Sequence, residues 1–92
     1  MHRVRQQDLP FVGSSHQFVG ADNGDVGVSA FLLSALPGRG PGPHRHPYDE
    51  VQFIREGRGL YEGHSFRCIG DAPLVQVDVH LSPRFIQENL AE

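Results

Sequence analysis

Eleven glycines and seven prolines cut this 92-residue chain into short segments, the punctuation of an all-β protein. Inside the segments, side chains alternate with the period of two that a half-buried strand requires. Val26, Val28, Ala30 and Leu32 alternate with Gly27, Ser29 and Phe31, and the run stays apolar to about Leu36. From Glu50 to Glu56, Val51 and Phe53 fall on one face and Glu50, Gln52 and Ile54 on the other. Two more strands are expected over His64 to Ile69 and Pro73 to Leu81, separated by a Gly70-Asp71 turn. In the last of these, Val75, Val77, Val79 and Leu81 alternate with Gln76, Asp78 and His80, and the sequence leaves open which face turns inward. Ser82 suits a helix N-cap and Pro83 the first helical position, with Phe85, Ile86 and Leu90 forming one apolar face. The expectation is one domain over residues 1–92, with an N-terminal arm at 1–17 and a short C-terminal helix at 83–91.

Composition narrows the function. The net charge of −3 comes from interspersed charges with no basic run, which argues against nucleic acid as a partner. Cys68 is the only cysteine, so an intramolecular disulfide and a cysteine-based zinc site are both excluded. It reads as a small buried hydrophobe. Residues 1–8 lack the apolar stretch of a signal peptide, and no segment is apolar over a membrane-spanning length. A cytoplasmic protein without membrane contact is expected.

The chemistry concentrates between Gly38 and Gly57, in the pattern G-x5-H-x-H-x3-E-x6-G formed with His44, His46 and Glu50. Two imidazoles and a carboxylate suit a divalent transition metal such as Fe, Mn, Ni, Zn or Cu. On an extended strand His44 and His46 point to one face with Cα atoms about 6–7 Å apart. Glu50 would lie about 13 Å beyond His46 on a straight strand and can join them only through a bend. Pro47 supplies it, since proline fixes φ and gives no N–H to a ladder. The stretch Pro37-Gly38-Arg39-Gly40-Pro41-Gly42-Pro43 is then the loop that delivers the histidines.

The segment Pro37-Gly38-x-Gly40-Pro41-x-x-His44-x-His46-Pro47-Tyr48-x-Glu50 resembles the first motif of small single-domain cupins. The tail from Gly70-Asp71-Ala72-Pro73-Leu74 through Val77-Asp78-Val79-His80-Leu81-Ser82-Pro83-Arg84-Phe85 is similar to theirs as well. The resemblance implies a double-stranded β-barrel of the jelly-roll type. It breaks at the second motif, G-x5-P-x-G-x2-H-x3-N, of which only Gly63-His64-Ser65-Phe66 remains, with Cys68 in place of the asparagine. The gap equals about fifteen to twenty residues, roughly two strands and a turn. A barrel so shortened has unpaired strand edges, and a second copy of the chain is expected to cover them in a homodimer.

By this resemblance His64 is the further imidazole of the metal set, with His80 the other candidate, and His2 and His16 read as solvated. Implied is a mononuclear metal protein with a small-molecule ligand. It is either an oxygenase, isomerase or decarboxylase, or a barrel that binds without turnover. Glu50 and Tyr48 are the candidates for catalytic roles, and Tyr61 and Arg55 for further ligand contacts.

Overall fold

A computed structural model of the chain describes residues 2–62 and 65–90. Its strands are β1 (Phe11–Val12), β2 (Ser15–Phe18), β3 (Ser29–Ala35), β4 (His44–Arg45), β5 (Glu50–Glu56), β6 (Arg58–Glu62), β7 (Ser65–Ile69), β8 (Leu74–His80) and β9 (Glu88–Asn89). They form a five-stranded antiparallel sheet in the order β1-β2-β3-β8-β5 and two ribbons, β4-β9 and β6-β7. The Gly/Pro loop extends the second ribbon, because Gly38 N–H donates to Cys68 O and Cys68 N–H to Arg39 O. Gly38 and Gly57, the glycines that bracket the histidine motif, both take the left-handed conformation, at φ +84° and +85°. Among the described residues the strands do not close into a barrel: β5 pairs with β8 alone and β1 with β2 alone.

Strand β8 runs through the middle of the main sheet, paired from Ser29↔His80 to Ala35↔Leu74 on one side and from Glu50↔His80 to Glu56↔Val75 on the other. A bulge near Arg55 shifts the β5 register. The inward face of β8 carries Leu74, Gln76, Asp78 and His80, all buried, while Val75, Val77 and Val79 on the opposite face are half-buried. The apolar core is correspondingly small: Ala35, Phe66, Cys68 and Leu74, with Leu33 and Tyr61 packed against it. Cys68 is indeed a buried residue here.

Besides the expected double-stranded barrel, which does not close among the described residues, three sequence expectations change. The N-terminal arm is not all arm, since residues 11–18 contribute β1 and β2 to the sheet. His16 is half-buried, edge-on to Phe11 at a ring-centroid distance of 4.9 Å, rather than solvated. The expected helix over 83–91 does not form in its described part, residues 83–90, which bend at 83–84 and continue without regular structure into β9. A helix of some eight residues is marginal on its own, and here the backbone finds partners elsewhere. Ala21 N–H donates to Pro83 O and Leu90 N–H to Pro43 O. Ser82 does cap, but only a local turn: its hydroxyl accepts Arg84 N–H at 3.2 Å. The result is a strap that crosses the histidine motif.

Candidate metal centre and its cavity

Each residue of the site is placed by a different device. His44 sits on β4, whose partner β9 holds it by the pairs His44↔Asn89 and Arg45↔Glu88. Beyond Arg45 the chain leaves strand conformation, passes Pro47 and re-enters it at Glu50, the first residue of β5. That bend brings Glu50 Oε1 to 3.5 Å from His46 Nε2. Across the ladder Glu50 faces His80, the last residue of β8, and directly opposed residues on one face are neighbours. Glu50 Oε2 lies 3.7 Å from His80 Nε2.

His46, Glu50 and His80 thus form a group whose ligand atoms all lie within 4.8 Å of one another. The three side chains are only 1%, 8% and 3% exposed. Metal–ligand bonds of 2.0–2.2 Å place neighbouring donors about 3.0–3.5 Å apart at octahedral or tetrahedral angles. The two Glu50 separations lie within a few tenths of an ångström of that range, and the group could hold a divalent transition ion.

The far ring nitrogens are anchored as well. His46 Nδ1–H donates to Ile86 O at 2.6 Å, so the neutral ring carries its lone pair on Nε2, toward Glu50. His44 Nδ1–H does the same to Gly42 O at 2.8 Å. The Tyr48 hydroxyl accepts Ile86 N–H at 3.3 Å and stands 2.9 Å from His80 Nδ1 and 3.2 Å from His46 Nδ1. In the tautomer that leaves His80 Nε2 as a ligand, His80 Nδ1–H donates to that phenol oxygen. Such outer partners orient ligating imidazoles and fix their tautomers. Gln52 Nε2–H donates to Glu50 Oε2 at 3.3 Å.

Burial pushes the His80 pKa down; Glu50 opposes the shift and the neighbouring His46 and His44 add to it. The ring is therefore held neutral, the form that ligates a metal. Burial raises the Tyr48 hydroxyl, against the Ile86 N–H and with help from Glu50, so it stays a phenol.

Of the residues expected from sequence, His46 and Glu50 come together as the Pro47 bend requires. His44 stands beside the group, its ring 5.0 Å from that of His46 and on the same side. His64 lies outside the described residues. The third member of the group is His80, the other candidate. A signal for it was available: the strands at 50–56 and 74–80 each carry a polar face, and antiparallel pairing of those faces sets Glu50 against His80.

The group opens on a cavity of about 710 Å³ between the main sheet and the ribbons. Phe31, Phe66 and Phe85 give it aromatic walls, and Asp78 lines it one pleat along β8 from His80. Asp78 belongs to a chain of side chains in which Tyr61 Oη–H donates to Gln76 Oε1 at 2.6 Å and Gln76 Nε2–H donates to Asp78 Oδ1 at 2.6 Å. Burial raises the Asp78 carboxyl to about 7, Gln76 opposing and Glu50 reinforcing the shift. Burial, then Asp78 and Cys68, raise the Tyr61 hydroxyl too.

The chain matches no protein-family model, no curated protein and no solved structure. The class that fold and site define is a small antiparallel β-protein with a His-Glu-His group that could hold a metal ion. Among the described residues no helix is long and apolar enough to cross a membrane.

Proposed function

We propose that this chain is a metal-binding protein of the cupin type, shortened in its second half, in which His46, Glu50 and His80 hold one divalent transition ion beside a small-molecule cavity. The observation that carries the reading is the convergence of three nearly buried donors whose outer ring nitrogens meet protein partners. A charged cluster with no ligand would leave Glu50 buried between two imidazoles that are too distant to hydrogen-bond to it. His44 serves as a neighbouring imidazole at the mouth of the set.

Metal content of protein purified without chelator, followed by cobalt(II) titration, tests this. One equivalent is expected in the wild type. His46→Ala, His80→Ala and Glu50→Gln should each weaken binding by more than the roughly 10–100-fold typical of losing an outer partner. Tyr48→Phe should fall inside that range. Full metal retention in His80→Ala would overturn the ligand set.

The cavity favours a second, catalytic reading, because it gives a substrate room against the donor group. A bound ion there would supply Lewis acidity or a dioxygen site for an oxygenase, isomerase or decarboxylase. Glu50 and the neutral Tyr48 phenol are the groups placed to hold a proton. Oxygen uptake by iron-loaded protein with a panel of catechols and oxo acids separates catalyst from binder.

A further inference from the structure

The polar wall of the cavity has a part that the donor group does not use. Asp78 is 7% exposed, and only one of its oxygens is taken, by Gln76. Among the described residues the other oxygen has no hydrogen-bond partner, and the residue lines the cavity. Its orientation is fixed from behind, because Gln76 is fully buried and is itself held by the Tyr61 hydroxyl. Directly across the ladder from Asp78 lies Phe31, whose ring packs 4.9 Å from that of Phe85. A hydrogen-bond acceptor therefore sits beside an aromatic wall.

Glu50 and Asp78 are the carboxylates of the lining, and Arg39, exposed on the Gly/Pro loop, is its only guanidinium among the described residues. An anion placed at Asp78 would meet its carboxylate and leave the open oxygen without a donor. An ammonium or hydroxyl would satisfy it, and a charge-assisted hydrogen bond in a partly desolvated wall is a strong one.

We infer that the cavity binds a small aromatic or similarly flat ligand carrying a hydroxyl or ammonium head, and that Asp78 is the residue that receives that head. This assignment of ligand class rests on the cavity being the ligand site of the metal protein proposed above. It needs no contact between ligand and ion. Asp78 acts as a specificity-determining residue, and the Tyr61–Gln76 pair positions it.

Calorimetric or ligand-observed NMR titration at pH 8.5 with benzylamine, benzyl alcohol and benzoate tests it, on both zinc-loaded and chelator-treated full-length chain. The chelator-treated protein removes direct coordination of a probe to the ion. There, benzylamine and benzyl alcohol should bind at least about tenfold more tightly than benzoate, the scale of one hydrogen bond to a charged group. Asp78→Asn should lose about tenfold for benzylamine while keeping stoichiometric zinc. Tyr61→Phe should lose less, since it loosens the carboxyl without removing it.

Benzoate binding as tightly as benzylamine to chelator-treated wild type would overturn the inference, as would no binding by any probe. So would unchanged benzylamine affinity in Asp78→Asn. The wild-type ranking stands even if a variant fails to fold. Absence of zinc from wild type with the ranking intact would instead strike only the metal reading.

Discussion

The two faces of the five-stranded sheet differ in the direction opposite to the usual one. An antiparallel sheet with one wet face ordinarily turns its apolar side inward. Here the inward face of β8 is Leu74, Gln76, Asp78 and His80, and the outward face is valine. The outward row continues onto β5, where Val51 and Phe53 are 44% and 56% exposed. The inversion is tolerable because the polar side chains satisfy one another. Among the described residues no fully enclosed side-chain nitrogen or oxygen lacks a hydrogen-bond partner, and the open oxygen of Asp78 belongs to the cavity wall. Inward direction on this sheet is set by a lined cavity rather than by a close-packed core. The buried apolar cluster lies at one end, around Leu74, while at the other Phe31 packs between His80 and Phe85.

That end should carry the largest single contribution to stability. Leu74 is fully buried against Ala35, Phe66 and Cys68, in a core too small to have a substitute. Leu74→Ala should lower the free energy of unfolding by about 2–5 kcal/mol in urea denaturation. A loss under about 1 kcal/mol would mean that this end of the inward face is not the core, and the contrast between its two ends would collapse.

Asp78 gives the opposite response. Its carboxyl titrates near 7 in the folded chain against an ordinary value of 3.8. The folded state therefore binds a proton more tightly than the unfolded state between those values, and stability falls as pH rises through them. Below about pH 4 the group is protonated in both states and contributes nothing. Above about pH 7 the full penalty applies, at most about 4 kcal/mol at 1.36 kcal/mol per pKa unit. Asp78→Asn, measured by thermal unfolding in chelator, should be more stable than wild type at pH 8, with the gain vanishing near pH 3.5.

His80 works the other way. Its lowered pKa makes protonation unfavourable in the fold, so stability is lost as pH falls below the ordinary 6.5. The difference between variant and wild type, rather than either curve alone, isolates Asp78. Equal stability at pH 8 would remove the idea that this wall trades stability for binding.

How much of this was legible from sequence depends on whether an element is fixed locally. The strands at 50–56, 65–69, 74–80 and 29–35 all fall inside the expected segments, because alternation and glycine turns mark them. The approach of Glu50 to His46 was legible for a related reason: a proline between two ligand types leaves the chain little else to do. The strand at Ser15–Phe18 was not, since its warrant is pairing, with the distant β3 and with the two-residue β1, rather than alternation. The C-terminal strap has a convincing local helix signal in Ser82-Pro83, overridden by non-local partners for Pro83, Ile86 and Leu90. The inward face of β8 defeats a hydrophobicity rule outright, because periodicity gives two faces and only the cavity says which is inside.

The outward face yields the smallest effect on the fold and the sharpest test of what covers it. Phe53 lies on β5, an edge strand whose outer row of N–H and C=O groups meets no strand among the described residues, next to Val51 and across from Val77. The proposal that a second copy of the chain covers this edge follows from that pairing deficit. Within one chain an exposed phenylalanine contributes little, so Phe53→Ser should shift the unfolding free energy of dilute protein by about 1 kcal/mol or less. Sedimentation at micromolar concentration should respond far more, changing from dimer in wild type to monomer in the variant. A wild type that sediments as a monomer would leave the apolar face bare, and the contrast between the two faces would then be one of site against solvent rather than of site against partner.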